Sequence, residues 1–262
     1  MTLALRAQSV SVRYGGVQAL EDVSLEIAPG QLVGLIGPNG AGKTSFIDAI
    51  TGFTAATGTV EVGDTDVFTL APDLRARHGL ARTWQSAELF DDLTVRENLA
   101  VTAGRPSLRE SIGELLTGRA ARHPVVDETL AFLDLSMVAD ATPDSLSQGQ
   151  RKLVGVARAL AAQPRVVCLD EPAAGLDTSE SQRLGRHLRE IVNRGTAMLL
   201  VDHDMGLVLN VCDLVVVLNF GRVIASAPPH TVRRDPRVIE AYLGKAAGEV
   251  TSAAPTAGSE TR

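Results

Sequence analysis

Residues 37–44 read GPNGAGKT, and they constrain the fold more than any other part of the chain. Gly37, Gly42, Lys43 and Thr44 occupy the fixed places of G-x-x-x-x-G-K-[ST]. An apolar run, LVGLI, precedes the motif, and a segment of helical character, about Lys43 to Ile50, follows it. The pattern therefore demands a buried strand, a tight loop and a helix in immediate succession. Glycines let backbone N–H groups curl around a phosphate chain. Lys43 would reach the terminal phosphates, and the Thr44 hydroxyl would ligate Mg²⁺. The expected cradle is the whole run Gly37, Pro38, Asn39, Gly40, Ala41, Gly42, Lys43, Thr44 and Ser45.

A second stretch supplies the acids such a loop needs. VVCLDEP, 166–172, runs four apolar residues into Asp170 and Glu171. An acid at the end of a buried strand is placed to hold Mg²⁺, and the adjacent Glu171 to act as general base toward water. Strand-end acids are ordinarily solvated or capping, so this signal gains its meaning from the phosphate loop.

The rest of the chain fits an α/β core. VSVRY, VSLEI, GTVEV, RVVCLD, AMLLVD and LVVVLN read as strands, and VVCL and AMLLV are apolar throughout, as parallel strands buried on both faces are. Helices are expected near 179–193 and 204–210. From about Phe90 to Ala162 the pattern turns mostly helical, in VRENLAV, LRESIGELL and VDETLAFLDL. The expected division is a core of 1–89 and 163–244, a helical insertion over 90–162, and a disordered tail over 245–262. Cys168 and Cys212 lie in or beside apolar runs and read as small buried hydrophobes. No apolar run approaches the roughly 20 residues of a membrane span. The formal net charge of −6 comes with no Lys/Arg-rich block, so no nucleic-acid partner is expected.

At 145–152 the chain reads SLSQGQRK. Ser147 and Gln150 fit a capping box, and Leu153, Val156, Ala157 and Leu160 continue at helical spacing. A helix N-terminus is also a ready anion site. Spacing alone supports both readings.

Taken together, these motifs resemble those of the ABC-type ATPases, the nucleotide-binding subunits of ATP-driven transporters, over roughly residues 5–243. The resemblance implies a P-loop NTPase fold with a mixed sheet, N-terminal antiparallel strands and an inserted helical subdomain. It implies ATP and Mg²⁺ as ligands. Tyr14, in VRYGGV, matches the aromatic that stacks on adenine; as a bare residue it is equally a strand-end aromatic. Gln85, in RTWQ, matches the glutamine that touches Mg²⁺ and the attacking water and faces the membrane subunit. LSQGQ, 146–150, matches the LSGGQ signature, implying that Ser147, Gly149 and Gln150 cover ATP held by a second subunit. Gln148 departs from that pattern, standing where the first of two glycines is usual. Asp177, in AGLD, matches a residue that reaches across the dimer, and His203, in VDHDM, matches one that contacts the γ-phosphate. Thr44, Gln85 and Asp170 are the implied metal set, and Glu171, His203 and Gln85 the implied catalytic set.

Within the family, YGGVQAL, RTWQ with LFDDLTVRENL, EPAAGLD, HDMGLV and DPRVIEAYLG resemble the ATPase subunits of branched-chain amino-acid importers. That implies integral membrane permease subunits, a sister ATPase or a second copy as head-to-tail partner, a solute-binding protein acting indirectly, and a place on the cytoplasmic face of the membrane. Asp202 stands in place of the Glu usual before the histidine, and the segment around 104–125 is shorter than usual. Urea or amide import, lipopolysaccharide export, and a soluble role such as cluster assembly stay open as alternatives.

Overall fold

The computed structural model describes residues 2–84, 89–104 and 123–242. The strands are β1 (Leu5–Tyr14), β2 (Val17–Ile27), β3 (Leu32–Ile36), β4 (Thr57–Val62), β5 (Thr65–Asp66), β6 (Leu80–Arg82), β7 (Val166–Asp170), β8 (Ala197–Val201), β9 (Leu214–Asn219) and β10 (Arg222–Ala227). The helices are α1 (Lys43–Thr51), α2 (Pro72–Arg77), α3 (Val95–Ala100), α4 (Pro124–Phe132), α5 (Gln148–Ala161), α6 (Thr178–Asn193), α7 (Met205–Val211) and α8 (Pro229–Val232).

Two sheets form. The first, in the order β2-β1-β4-β5, is antiparallel. The second, β10-β9-β3-β8-β7-β6, is parallel except for its β9–β10 edge, so it is mixed as the resemblance implies. The all-apolar runs lie at its centre: β3, β7 and β8 are buried at every residue.

Side chains on these strands alternate between two cores, as a period of two requires. Val33 and Leu35 of β3, with Val166 and Cys168 of β7, face a core shared with β1, β2, β4 and with Phe46, Ile47 and Ile50 of α1. Leu32, Ile36, Val167 and Leu169 face the opposite way, into a core with α6 and α7. Val95 and Leu99 of α3, Val126 and Leu130 of α4, and Val154 and Ala157 of α5 join that same core. The described helices of this stretch thus share one face of the sheet. Both cysteines are buried and free, and burial pushes the Cys168 thiol up to about 12.

Several elements carried no strong sequence signal. β6 has three residues, too few for a periodicity. β10 is a half-exposed edge strand. The LRESIGELL stretch, the expected tail and Gln85 lie outside the described residues.

Candidate functional site

The loop between β3 and α1 is shaped by close contacts that only glycine permits. Gly37 has φ 153°, and a Cβ there would lie 2.2 Å from the Leu218 carbonyl oxygen. Gly42, the N-cap of α1, has φ 107°, and a Cβ would meet Leu20 and the Ala19 oxygen. β2 and the end of β9 therefore press the loop from two sides. Gly221 N–H donates to the Ala41 oxygen and accepts, through its own oxygen, from Glu21 N–H. At Gly40 a Cβ would meet nothing within 4 Å, so the loop's tip faces outward.

Lys43 is buried, and its ammonium donates to the Gly37 and Pro38 oxygens at 2.7 and 3.1 Å. The cation is held at the mouth of its own loop. Thr44 is exposed and Ser45 half-buried in the first turn. Tyr14 lies at the end of β1, paired with Val17 and exposed, on the hairpin whose second strand borders Gly42. Pro38, Asn39, Gly40 and Ala41 also edge an open groove of about 730 Å³ whose far wall includes Arg237 and Glu240. Tyr242 lies close to the Gly37 backbone, and burial pushes its phenol above the usual range. No local pattern announced that contact.

The two acids at the end of β7 differ sharply. Asp170 is buried, and its Oδ2 accepts from Arg82 Nη2 at 3.0 Å. Burial raises its pKa, and the Arg82 charge and hydrogen bond oppose that rise. Glu171 is partly exposed and takes φ 48°, a conformation that costs a non-glycine residue on the order of 1–3 kcal/mol. The turn is held by Glu171 N–H donating to the Val201 oxygen at 2.7 Å. His203 Nδ1 stands 4.0 Å from Glu171 Oε2 and 3.7 Å from Asp202 Oδ1.

Asp202, which departs from the resemblance, has a clear structural task. It is buried, and its two oxygens accept from Ala173 N–H at 3.0 Å and Asp204 N–H at 2.9 Å. One carboxylate thereby ties the turn after Glu171 to the turn after His203. Burial is the leading influence on its pKa, which is raised.

The 145–152 stretch forms the expected cap. Ser147 is the N-cap of α5, with Gln150 N–H on its Oγ at 3.2 Å and its own N–H on Gln150 Oε1 at 2.9 Å. Gln148 bends away along the chain's own surface, its Nε2 reaching the Ala174 oxygen at 3.4 Å beside Gly175. Gly149 packs close to the Glu180 carboxylate: a Cβ there would lie 2.7 Å from Glu180 Oε1 and would displace that side chain. Asp177 caps α6, accepting from Ser179 and Glu180 N–H groups, and these bonds, Glu180's first, lower its pKa. The capping reading of Ser147 is therefore realised in full, and Asp177 caps its helix in the same way.

Three contributors escaped the sequence reading. Arg82 joins Asp170 to Asp48. Arg75, buried, donates to the Ala49 and Ile50 oxygens and so closes the C-terminal end of α1. Lys152 Nζ reaches the Glu171 oxygen at 3.4 Å, and burial lowers its pKa against the pull of Asp202 and Glu171.

A strand, a glycine loop closed on a buried lysine and, two places along the same sheet, a strand ending in a buried carboxylate define a phosphate-loop nucleotide-binding protein. Comparison with known proteins narrows the class. Residues 20–174 match the family model described as ABC transporter, and residues 222–248 match one described as branched-chain amino acid ATP-binding cassette transporter. The chain is 38% identical to the high-affinity branched-chain amino acid transport ATP-binding protein LivG of Escherichia coli, over 92% of this chain and 98% of that one. It is 33% identical to the lipopolysaccharide export system ATP-binding protein LptB of Haemophilus influenzae, over 92% and 97%. A nucleotide-free ATP-binding cassette from an ABC transporter superposes with a TM-score of 0.80 at 31% identity, over 92% and 99%. This chain belongs to the ABC transporter family as an ATP-binding cassette subunit. It is an ABC-type ATPase.

Proposed function

We propose that this chain powers the import of branched-chain or other hydrophobic amino acids. The observation that carries this reading is the match of residues 222–248 to the branched-chain cassette model, at the segment that touches the phosphate loop through Tyr242. Identity to LivG over nearly the whole chain supports it.

In this reading Tyr14 stacks on adenine, and the run Gly37–Ser45 with Lys43 binds the phosphates. Thr44, Asp170 and Gln85 hold Mg²⁺. The donor set supports that choice: a hydroxyl and a buried carboxylate are hard oxygen ligands, and Mg²⁺ is commonly held by one or two carboxylates plus substrate phosphates. Mg²⁺ held by these residues would neutralise charge on the phosphates. Glu171, held in its strained turn, polarises water, and His203 contacts the γ-phosphate. Ser147, Gly149 and Gln150 cover ATP held by a second ATPase chain, and Asp177 reaches across the same interface. ATP favours the closed pair, and closure shifts the permease subunits. We assign residues 90–162 as the lobe that docks those subunits at the cytoplasmic face. No described helix is long and apolar enough to cross a membrane.

The test is purification of the chain from gently solubilised native membranes. Two integral membrane subunits and a sister ATPase are the expected companions. Lipopolysaccharide-export companions would redirect the reading toward the LptB-like role, and soluble partners alone would overturn transport.

A further inference from the structure

Arg82 sits where three parts of the molecule meet. It ends β6, in parallel register with Cys168 of β7. Its side chain is 6% exposed. Nη2 donates to Asp170 Oδ2, at the end of β7, and Nη1 to Asp48, one turn beyond Thr44 on α1. The guanidinium carbon lies 4.2 Å from the centre of the Trp84 ring, which meets Phe53 edge-on at 4.8 Å. Thr83, between them, receives the Asp170 N–H on its hydroxyl at 3.3 Å.

This is more than packing. Buried Asp170 and half-buried Asp48 share one guanidinium, so the ionised cluster keeps a net negative charge toward a cation. Arg82 Nε is buried without a hydrogen-bond partner, a loss that stable cores avoid. The arrangement satisfies the two carboxylates at the expense of the arginine's own stem. A planar fork can hold two carboxylates and lie flat on an indole at once, and a lysine ammonium cannot. Among the described residues Oδ1 of Asp170 carries no hydrogen bond, while Oδ2 is fixed. One oxygen is anchored and the other is presented.

We propose that Arg82 is a positioning residue for the metal-holding carboxylate, clamping Asp170 to the phosphate-loop helix through Asp48 and linking both to Trp84, the residue before Gln85. The inference rests on the assignment of Asp170 as a Mg²⁺ ligand. A metal that demands near-ideal octahedral geometry gains most from a carboxylate whose orientation is set before it arrives. Because Arg82 also stacks on Trp84, a change at the metal carboxylate is transmitted to the chain entering the 85–88 segment.

The test uses the full chain. ATP affinity is measured in EDTA and in Mg²⁺, Mn²⁺ affinity of the ATP complex by electron paramagnetic resonance, and Trp84 emission throughout. In Arg82→Lys, ATP affinity in EDTA should stay within about twofold of the parent, while Mn²⁺ affinity falls about tenfold, as for other outer-shell partners of metal ligands. The Trp84 response to Mg·ATP should shrink with it. Asp48→Asn, which leaves Arg82 and Asp170 in place, should weaken Mn²⁺ in the same direction by a smaller factor. It also serves if Arg82→Lys fails to fold. Unchanged Mn²⁺ affinity in the folded variants overturns the inference, as does an equal loss of ATP binding with and without metal. Asp170→Asn separates the two levels. If it leaves Mn²⁺ affinity intact, the metal assignment itself is wrong; if it abolishes Mn²⁺ binding while the Arg82 and Asp48 variants leave Mn²⁺ affinity unchanged, only the clamp is wrong.

Discussion

The helix starts at the chain's two most telling motifs, α1 and α5, are constructed in opposite ways. α1 begins inside the molecule. Its N-cap is a glycine with no capping side chain, its lysine is buried against loop oxygens, and strands β2 and β9 press on the loop. α5 begins on the surface, with Ser147 and Gln148 exposed and the first turn closed by its own capping box. Neither first turn carries an acidic residue, so neither repels an anion. The first is a site preorganised within one chain. The second is an open surface closed by its own cap, and in the proposed reading it gains a ligand only when a partner brings one.

That contrast is best broken at its strongest point. Glu171→Gln keeps the loop intact and removes the proposed base. Hydrolysis should fall by about 10²–10⁴-fold while ATP still binds, leaving an ATP-held dimer detectable by size-exclusion chromatography. Near-normal turnover would remove Glu171 from the role. Lys43→Ala strikes the preorganised end itself. ATP affinity should fall by at least about tenfold, even for isolated chains, because a charge-assisted contact is lost. Unchanged affinity in calorimetry would mean that the loop amides alone suffice.

Ser147→Ala strikes the open end and should separate binding from turnover. Loss of the cap costs about 1 kcal/mol, a melting shift of about 2–4 °C. ATP affinity of the isolated chain should not change. Hydrolysis should drop about tenfold at concentrations where the parent dimerises, the worth of one hydrogen bond to a charged group. A loss of monomer ATP affinity instead would erase the distinction between the two ends. The smallest effect is expected for Gln148→Ala. Its exposed contact to the Ala174 oxygen is long, so stability should move by no more than about 0.5 kcal/mol. A large loss of turnover there would show that the two neighbouring turns act as a unit.

The two ends also differ in how they could be read. The loop at 37–44 is legible because its chemistry is local: glycines at fixed offsets, a lysine and a hydroxyl entering a helix. The capping box at 147–150 is legible for the same reason, as are the apolar runs of β3, β7 and β8. Gln148 illustrates the limit. Its departure from the signature could be seen in the sequence, but not that its amide would lie along Ala174, 26 residues away.

Tertiary structure decided what surrounds the loop. Arg82 meets Asp48 across 34 residues and Asp170 across 88. Arg75 closes the end of α1 from a six-residue helix with little pattern of its own. Tyr242 reaches back to Gly37 from the far end of the described chain. Asp202, read in the sequence as a departure, became the carboxylate that joins the turn after Glu171 to the turn after His203. Hydrophobic period tells which face of an element is buried, and short motifs tell which backbone shape a ligand needs. Neither reports which charged side chain from another element will share that space, because the pairing is fixed only when the sheet order brings β6 beside β7 and α1 over both.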